Sequence, residues 1–143
     1  MTSDSERGSA VVEFTALAVL LLVPIIYFIV AVARLQAGTY AVAVAAREAA
    51  RAFVTSPAEG PALARAQAAA GLAFGDQGFA GAGTIQVTCP ASPCLTPQSS
   101  ISVTADLQVE LPGVPSVLAA AIPSSVGVSA THVLSVDRFR EVP

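Results

Sequence analysis

Two sets of residues in this chain could carry chemistry, and each is defined by its spacing. Glu13 is a carboxylate placed inside the first turns of a long apolar run, "RGSAVVEFTALAVLLLVPIIYFIVAVAR", five residues after Gly8 and four after Ser9. A charged side chain at the centre of a bilayer costs about 2.5–3.5 kcal/mol on insertion scales, less near the interface. Inside a helix bundle such a group needs a cation or donors. The other reading is that Glu13 reaches headgroup water close to the membrane edge. Cys89 and Cys94 stand in "CPASPC", with four residues between them. That is not the C-x-x-C of a redox or zinc site. With His132 as the one histidine, four tetrahedral ligands cannot be assembled. A local disulfide across a proline-containing loop is the favoured reading, and a pair of buried thiols is the alternative. A disulfide places this part of the chain in an oxidising compartment.

Beyond these, the residues offer little for catalysis. His132 falls on the apolar side of an alternating segment, where a satisfied or edge-lying histidine is the ordinary case. Asp76, Asp106, Glu110 and Asp137 are scattered. The chain contains no G-x-S-x-G, no H-E-x-x-H and no phosphate loop. "GFAGAG" precedes a strand pattern and not a helix, so it cannot present helix-terminal amides to a phosphate. The sequence therefore reads as a non-enzyme with no cofactor and no metal. The net charge of −3 argues against nucleic acid, which requires a basic footprint.

The elements that must position these residues follow from composition and period. Hydrophobic residues make up 54% and charged residues 12%, about half the charged fraction of an ordinary soluble domain. The excess lies before residue 55. Ala16–Ala33 holds no charged side chain, and residues 11–33 are long enough to cross a bilayer core of ~30 Å. A secretory signal has a shorter apolar region, usually about 7–15 residues, and a small-residue cleavage site. Here helix-forming sequence continues, so a retained span is expected. Pro24 falls mid-span, where its ring removes a donor and predicts a helix kink.

Residues 1–8 are polar and are expected to be unstructured, with a helix starting near Ser9. The alanine-rich stretch 34–56 carries that helix past the membrane to "TSPAEGP". Ser9–Val54 as one helix would be about 65–70 Å long. Arg47, Glu48 and Arg51 form a charged patch, read as a solvated face. Ala37, Gly38, Ala41, Ala45 and Ala49 form a row of small residues that would admit another helix, such as a second subunit's. A second helix is predicted from Pro61 to Phe74, with Pro61 in its first turn.

The period then becomes two. In "SISVTADLQVEL", Ile101, Val103, Ala105, Leu107, Val109 and Leu111 share one face, opposite Ser102, Thr104, Asp106, Gln108 and Glu110. "TIQVTC" predicts a shorter strand with Ile85 and Val87 inward. "VGVSATHVLSV" predicts a third, with Val126, Val128, Ala130, Leu134 and Val136 together. "PGVPSVLAAAIPSS" joins the last two and is expected to hold a helical turn. The expected fold is α+β: a long N-terminal, membrane-spanning helix and a second helix packed on a small antiparallel three-stranded sheet. Its divisions are 1–8, 9–56 and 57–143.

"RGSAVVEF", the proline-containing apolar run, "ARLQAG" and "AAREAAR" together resemble the TadE-like family of tight-adherence (Flp) pilus assembly proteins, over roughly residues 7–54. The resemblance implies a pilin-like minor pilin or pseudopilin. It implies that residues 1–8 are a leader cut by a prepilin peptidase between Gly8 and Ser9. It implies that Glu13, then the fifth residue, pairs with the terminal amine of a neighbouring subunit. The leader departs from the family's basic pattern in carrying Asp4 and Glu6 against Arg7. The implied partners are membrane lipid, the prepilin peptidase, other pilin or pseudopilin subunits and the pilus-assembly machinery. The implied topology is a single pass, N-terminus cytoplasmic and C-terminal domain extracytoplasmic. The alternative function is a signal-anchored extracytoplasmic binding domain unrelated to pili.

Overall fold

The computed structural model describes residues 4–113 and 124–140. The chain forms α1 (Asp4–Val54), α2 (Glu59–Asp76), β1 (Gly83–Thr88), β2 (Ser100–Glu110) and β3 (Ser125–Ser135). This is the α+β layout expected from the change of period. The chain divides into two compact units, Met1–Ala33 and Arg34–Pro143. The helical turn expected between β2 and β3 falls on residues outside those described.

The first unit is the beginning of α1. The helix already includes Asp4, the first described residue, where the polar composition of residues 1–8 suggested a start near Ser9. Gly8 lowers helix propensity by only about 0.8–1.0 kcal/mol. The helix is unbroken across Pro24. From Ala10 onward its apolar side chains are exposed, among them Val11, Phe14, Leu20 and Phe28. It is long and apolar enough to cross a membrane.

The second unit is built on the sheet. Its order is β1-β2-β3, antiparallel throughout, with β2 in the centre. The register pairs Val103 with Val87 on one side and with His132 on the other. Ile101, Val103, Ala105, Leu107 and Val109 of β2 are buried, and the edge strands present half-buried residues on the same face. Leu111, expected to extend this row, lies just past β2 and is half-buried. The opposite face is polar, and on it the hydroxyls of Thr104 and Thr131 are hydrogen-bonded at 2.9 Å.

A one-sided sheet must bury its apolar face on another layer. The outer part of α1 and α2 supply that layer. On α1, Gly38, Ala41, Val42, Ala45, Ala46, Ala49, Ala50 and Phe53 are buried, a stripe at helical spacing. On α2 the stripe is Ala62, Ala66, Ala70, Ala73 and Phe74. All the alanines, with Phe53, Phe74, Phe79 and the β2 row, belong to one buried cluster. Helix α2 runs two residues further at each end than predicted; at the N-terminal end Pro61 allows this because it needs no N–H in the first turn. Its C-terminus closes in a Schellman arrangement. Gly78 takes φ +79°, its N–H meets the Gly75 carbonyl at 3.0 Å, and the Phe79 N–H meets the Phe74 carbonyl at 2.9 Å.

Candidate functional site

The residues singled out by sequence fall into separate places. Gly8, Ser9 and Glu13 all lie within α1. Positions 9 and 13 are four apart, one turn along a single helix face. Glu13 is exposed, flanked by Val11, Val12 and Phe14, each at least 66% exposed. Thr15 returns its hydroxyl to the Val11 carbonyl at 2.8 Å, so this polar side chain is satisfied within its own helix. Glu13 is thus the carboxylate that an otherwise apolar surface presents outward.

Cys89 and Cys94 are bonded to each other, with Cα atoms 5.3 Å apart. The bond closes the loop between β1 and β2. Glu59, in the first turn of α2, accepts the Cys94 N–H at 3.2 Å. Ser99 adds hydrogen bonds to the carbonyls of Cys94 and Thr96. The staple therefore fixes one end of the sheet against the start of α2.

Arg140 was not legible as a structural residue from sequence, and it organises the end of α1. Its guanidinium donates to the carbonyls of Val54 at 2.9 Å, Ser56 at 2.6 Å and Pro57 at 3.1 Å. Terminal carbonyls of a helix lack intrahelical partners, and a cation there also complements the dipole. Buried Ser56 donates its hydroxyl to the Ala58 carbonyl at 2.9 Å. Beside this junction lies an open cavity of about 490 Å³ between Pro57–Glu59 and the 92–97 loop.

The row of small residues on α1 needs a correction. It does admit a close approach, but the face it meets is the chain's own sheet. A Cβ at Gly38 would collide with a Val109 methyl, so the backbone lies directly on β2. Packing within the unit covers the row, so it is not the open subunit contact that its small residues suggest. Arg47, Glu48 and Arg51 are exposed, as a solvated face requires.

The dispersed titratable groups stay dispersed. His132 is half-buried opposite Val103, Asp106 stands opposite Ser129, and Asp76, Glu110 and Asp137 are exposed. Among the described residues no three metal-ligating side chains come together. The described features are an exposed carboxylate on the apolar helix of the first unit and a disulfide-stapled α+β fold in the second. Comparison with family models, curated proteins and solved structures returns no match for this chain.

Proposed function

We propose that the chain is a TadE-like minor pilin or pseudopilin, a structural subunit of a tight-adherence pilus. Its apolar helix crosses the membrane once, with the leader in the cytoplasm and the disulfide-bonded unit outside. A prepilin peptidase cuts between Gly8 and Ser9, and Glu13 then receives the new amine of a neighbour.

The observation that carries this reading is the continuity of α1 through Gly8 and Ser9 to Glu13. In an α-helix each N–H bonds the carbonyl four residues back. A cut after Gly8 would remove the partners of the Ser9, Ala10, Val11 and Val12 N–H groups together. The new end would carry an ammonium and about half a positive charge from the helix dipole. Such an end calls for an anion, and hydrocarbon around it leaves few sources. Glu13 of an adjacent subunit is an anion at the correct depth if the two helices are offset by four residues, about 6 Å along the axis. A repeated offset of that kind builds a staggered array and not a closed dimer.

The test combines two substitutions in cells that assemble the fibre. Glu13→Ala should leave the protein in the membrane and abolish its incorporation. Replacing residues 14–33 with an unrelated apolar span, while keeping Gly8, Ser9 and Glu13, should impair incorporation less. Normal incorporation of Glu13→Ala would overturn the assembly role. The second reading, an anchored binding domain, has the cavity beside Pro57–Glu59 in its favour. It predicts that function survives any change of span, Glu13 included.

A further inference from the structure

We infer that the junction of α1 with the sheet holds a zwitterionic lipid headgroup, of the phosphoethanolamine type, between Arg34 and Glu110. The inference rests on the membrane-spanning reading of α1. Arg34 directly follows Ala33, the last residue of the uncharged run. One residue of helix is about 1.5 Å, so Arg34 sits where that run meets the headgroups. Arginine at such a depth extends its charge to the interface and keeps its stem in apolar surroundings.

Within the second unit Arg34 is exposed and stacks over an aromatic ring. Its guanidinium lies 5.3 Å from the centroid of the Phe79 ring. Phe79 is only 5% exposed and follows Gly78, the left-handed residue that ends α2. The Ala82 N–H closes the loop on the Phe79 carbonyl at 3.1 Å. Arg34, Phe79, Gln108 and Glu110 line one cavity of about 210 Å³ together with the Gly78–Ala82 loop. Gly38, one turn beyond Arg34, rests on Val109, which brings the end of β2 to this level of the helix.

The cavity is below the roughly 300–1,000 Å³ of pockets that take drug-sized molecules. It offers one cation, one carboxylate and one amide. A phosphodiester suits Arg34, and a primary ammonium suits Glu110, since both pairs make charge-assisted hydrogen bonds. Phosphatidylglycerol would give Arg34 the same phosphodiester but would offer Glu110 only neutral hydroxyls, without charge assistance. A quaternary ammonium has no N–H to give a carboxylate. The charges therefore select phosphatidylethanolamine over phosphatidylglycerol and phosphatidylcholine.

The test uses the full chain in phosphatidylcholine vesicles containing either phosphatidylethanolamine or phosphatidylglycerol. Flotation reads insertion, and native mass spectrometry after gentle detergent extraction reads the lipid retained. The expected result is insertion with preferential retention of phosphatidylethanolamine. Arg34→Gln and Glu110→Gln should each insert normally and retain about fivefold less of it. Arg65→Gln, a change to an exposed cation on α2, should retain as much as the wild type. Equal retention of the two lipids by the wild type, or unchanged retention in both cavity variants, would overturn the inference and leave the anchor standing. A chain that does not float would overturn the anchor and the inference together.

Discussion

Gly83→Ala should destabilise the outer unit by about 2 kcal/mol, and the reason lies in a single ring. Gly83 opens β1 opposite Leu107. A Cβ built on it would fall well inside contact distance of Cζ, Cε1 and Cε2 of Phe74. Carbon atoms pack best at about 3.5–4.0 Å, so the ring or the strand must move. Phe74 is only 2% exposed, and it belongs to the same buried cluster as Ile101 and Leu107. Overpacking of this kind costs about 1–3 kcal/mol, and three ring atoms put it near the top of that range. Restricting the unfolded chain by losing a glycine returns about 0.5–1 kcal/mol. The net loss should lower the melting temperature by about 8 °C for a unit of this size. Differential scanning calorimetry of the full chain in detergent reads it. Gly71→Ala is the matched control. Gly71 lies within α2 with nothing within 4 Å of the new methyl, and the change should stabilise by about 0.8–1.0 kcal/mol. In the double variant Gly83→Ala/Phe74→Leu the two costs should fall short of their sum by about 1 kcal/mol, since each relieves the other. A melting temperature for Gly83→Ala equal to or above that of the wild type would refute the packing described for α2 against β1.

Arg140→Ala should cost about 2 kcal/mol, because it strips a cation from the end of α1, where it meets the Val54, Ser56 and Pro57 carbonyls. Arg140→Lys should recover less than half of that, since an ammonium lacks the planar fork; urea unfolding of the three proteins measures both effects. Reducing the Cys89–Cys94 bond, which spans a sequence separation of 5, should cost about 2 kcal/mol, and Cys89→Ala/Cys94→Ala should match it. Thermal unfolding with and without reductant checks this, and reductant should leave the double variant unchanged.

The sheet could be read in the sequence because β2 is half buried in the simplest way. Ile101, Val103, Ala105, Leu107 and Val109 alternate with polar groups, and period two has no helical counterpart. The Cys89–Cys94 pair was legible because its loop is short and local. The face of α1 was legible as smooth, but smoothness does not say what it meets. Gly38 and the alanines that follow it fit a neighbouring helix as well as a sheet, and only the fold shows Val109 against them. The clamp by Arg140 joins groups up to 86 residues apart, and no local pattern marks such a pair. That α1 is already helical at Asp4 was not legible, because a polar leader and a polar stretch of helix have the same composition. Glu13 was legible from contrast alone: a carboxylate stands out in an apolar run whatever the fold around it.

The central claim is that Gly8–Ser9 is a processing site and Glu13 the carboxylate reserved for the amine it releases. N-terminal sequencing of the protein extracted from membranes of cells with an active prepilin peptidase tests this most directly. The account predicts a chain beginning at Ser9, with the uncut chain accumulating when the peptidase is inactivated. A chain that still carries residues upstream of Ser9 in the presence of the active peptidase would contradict it.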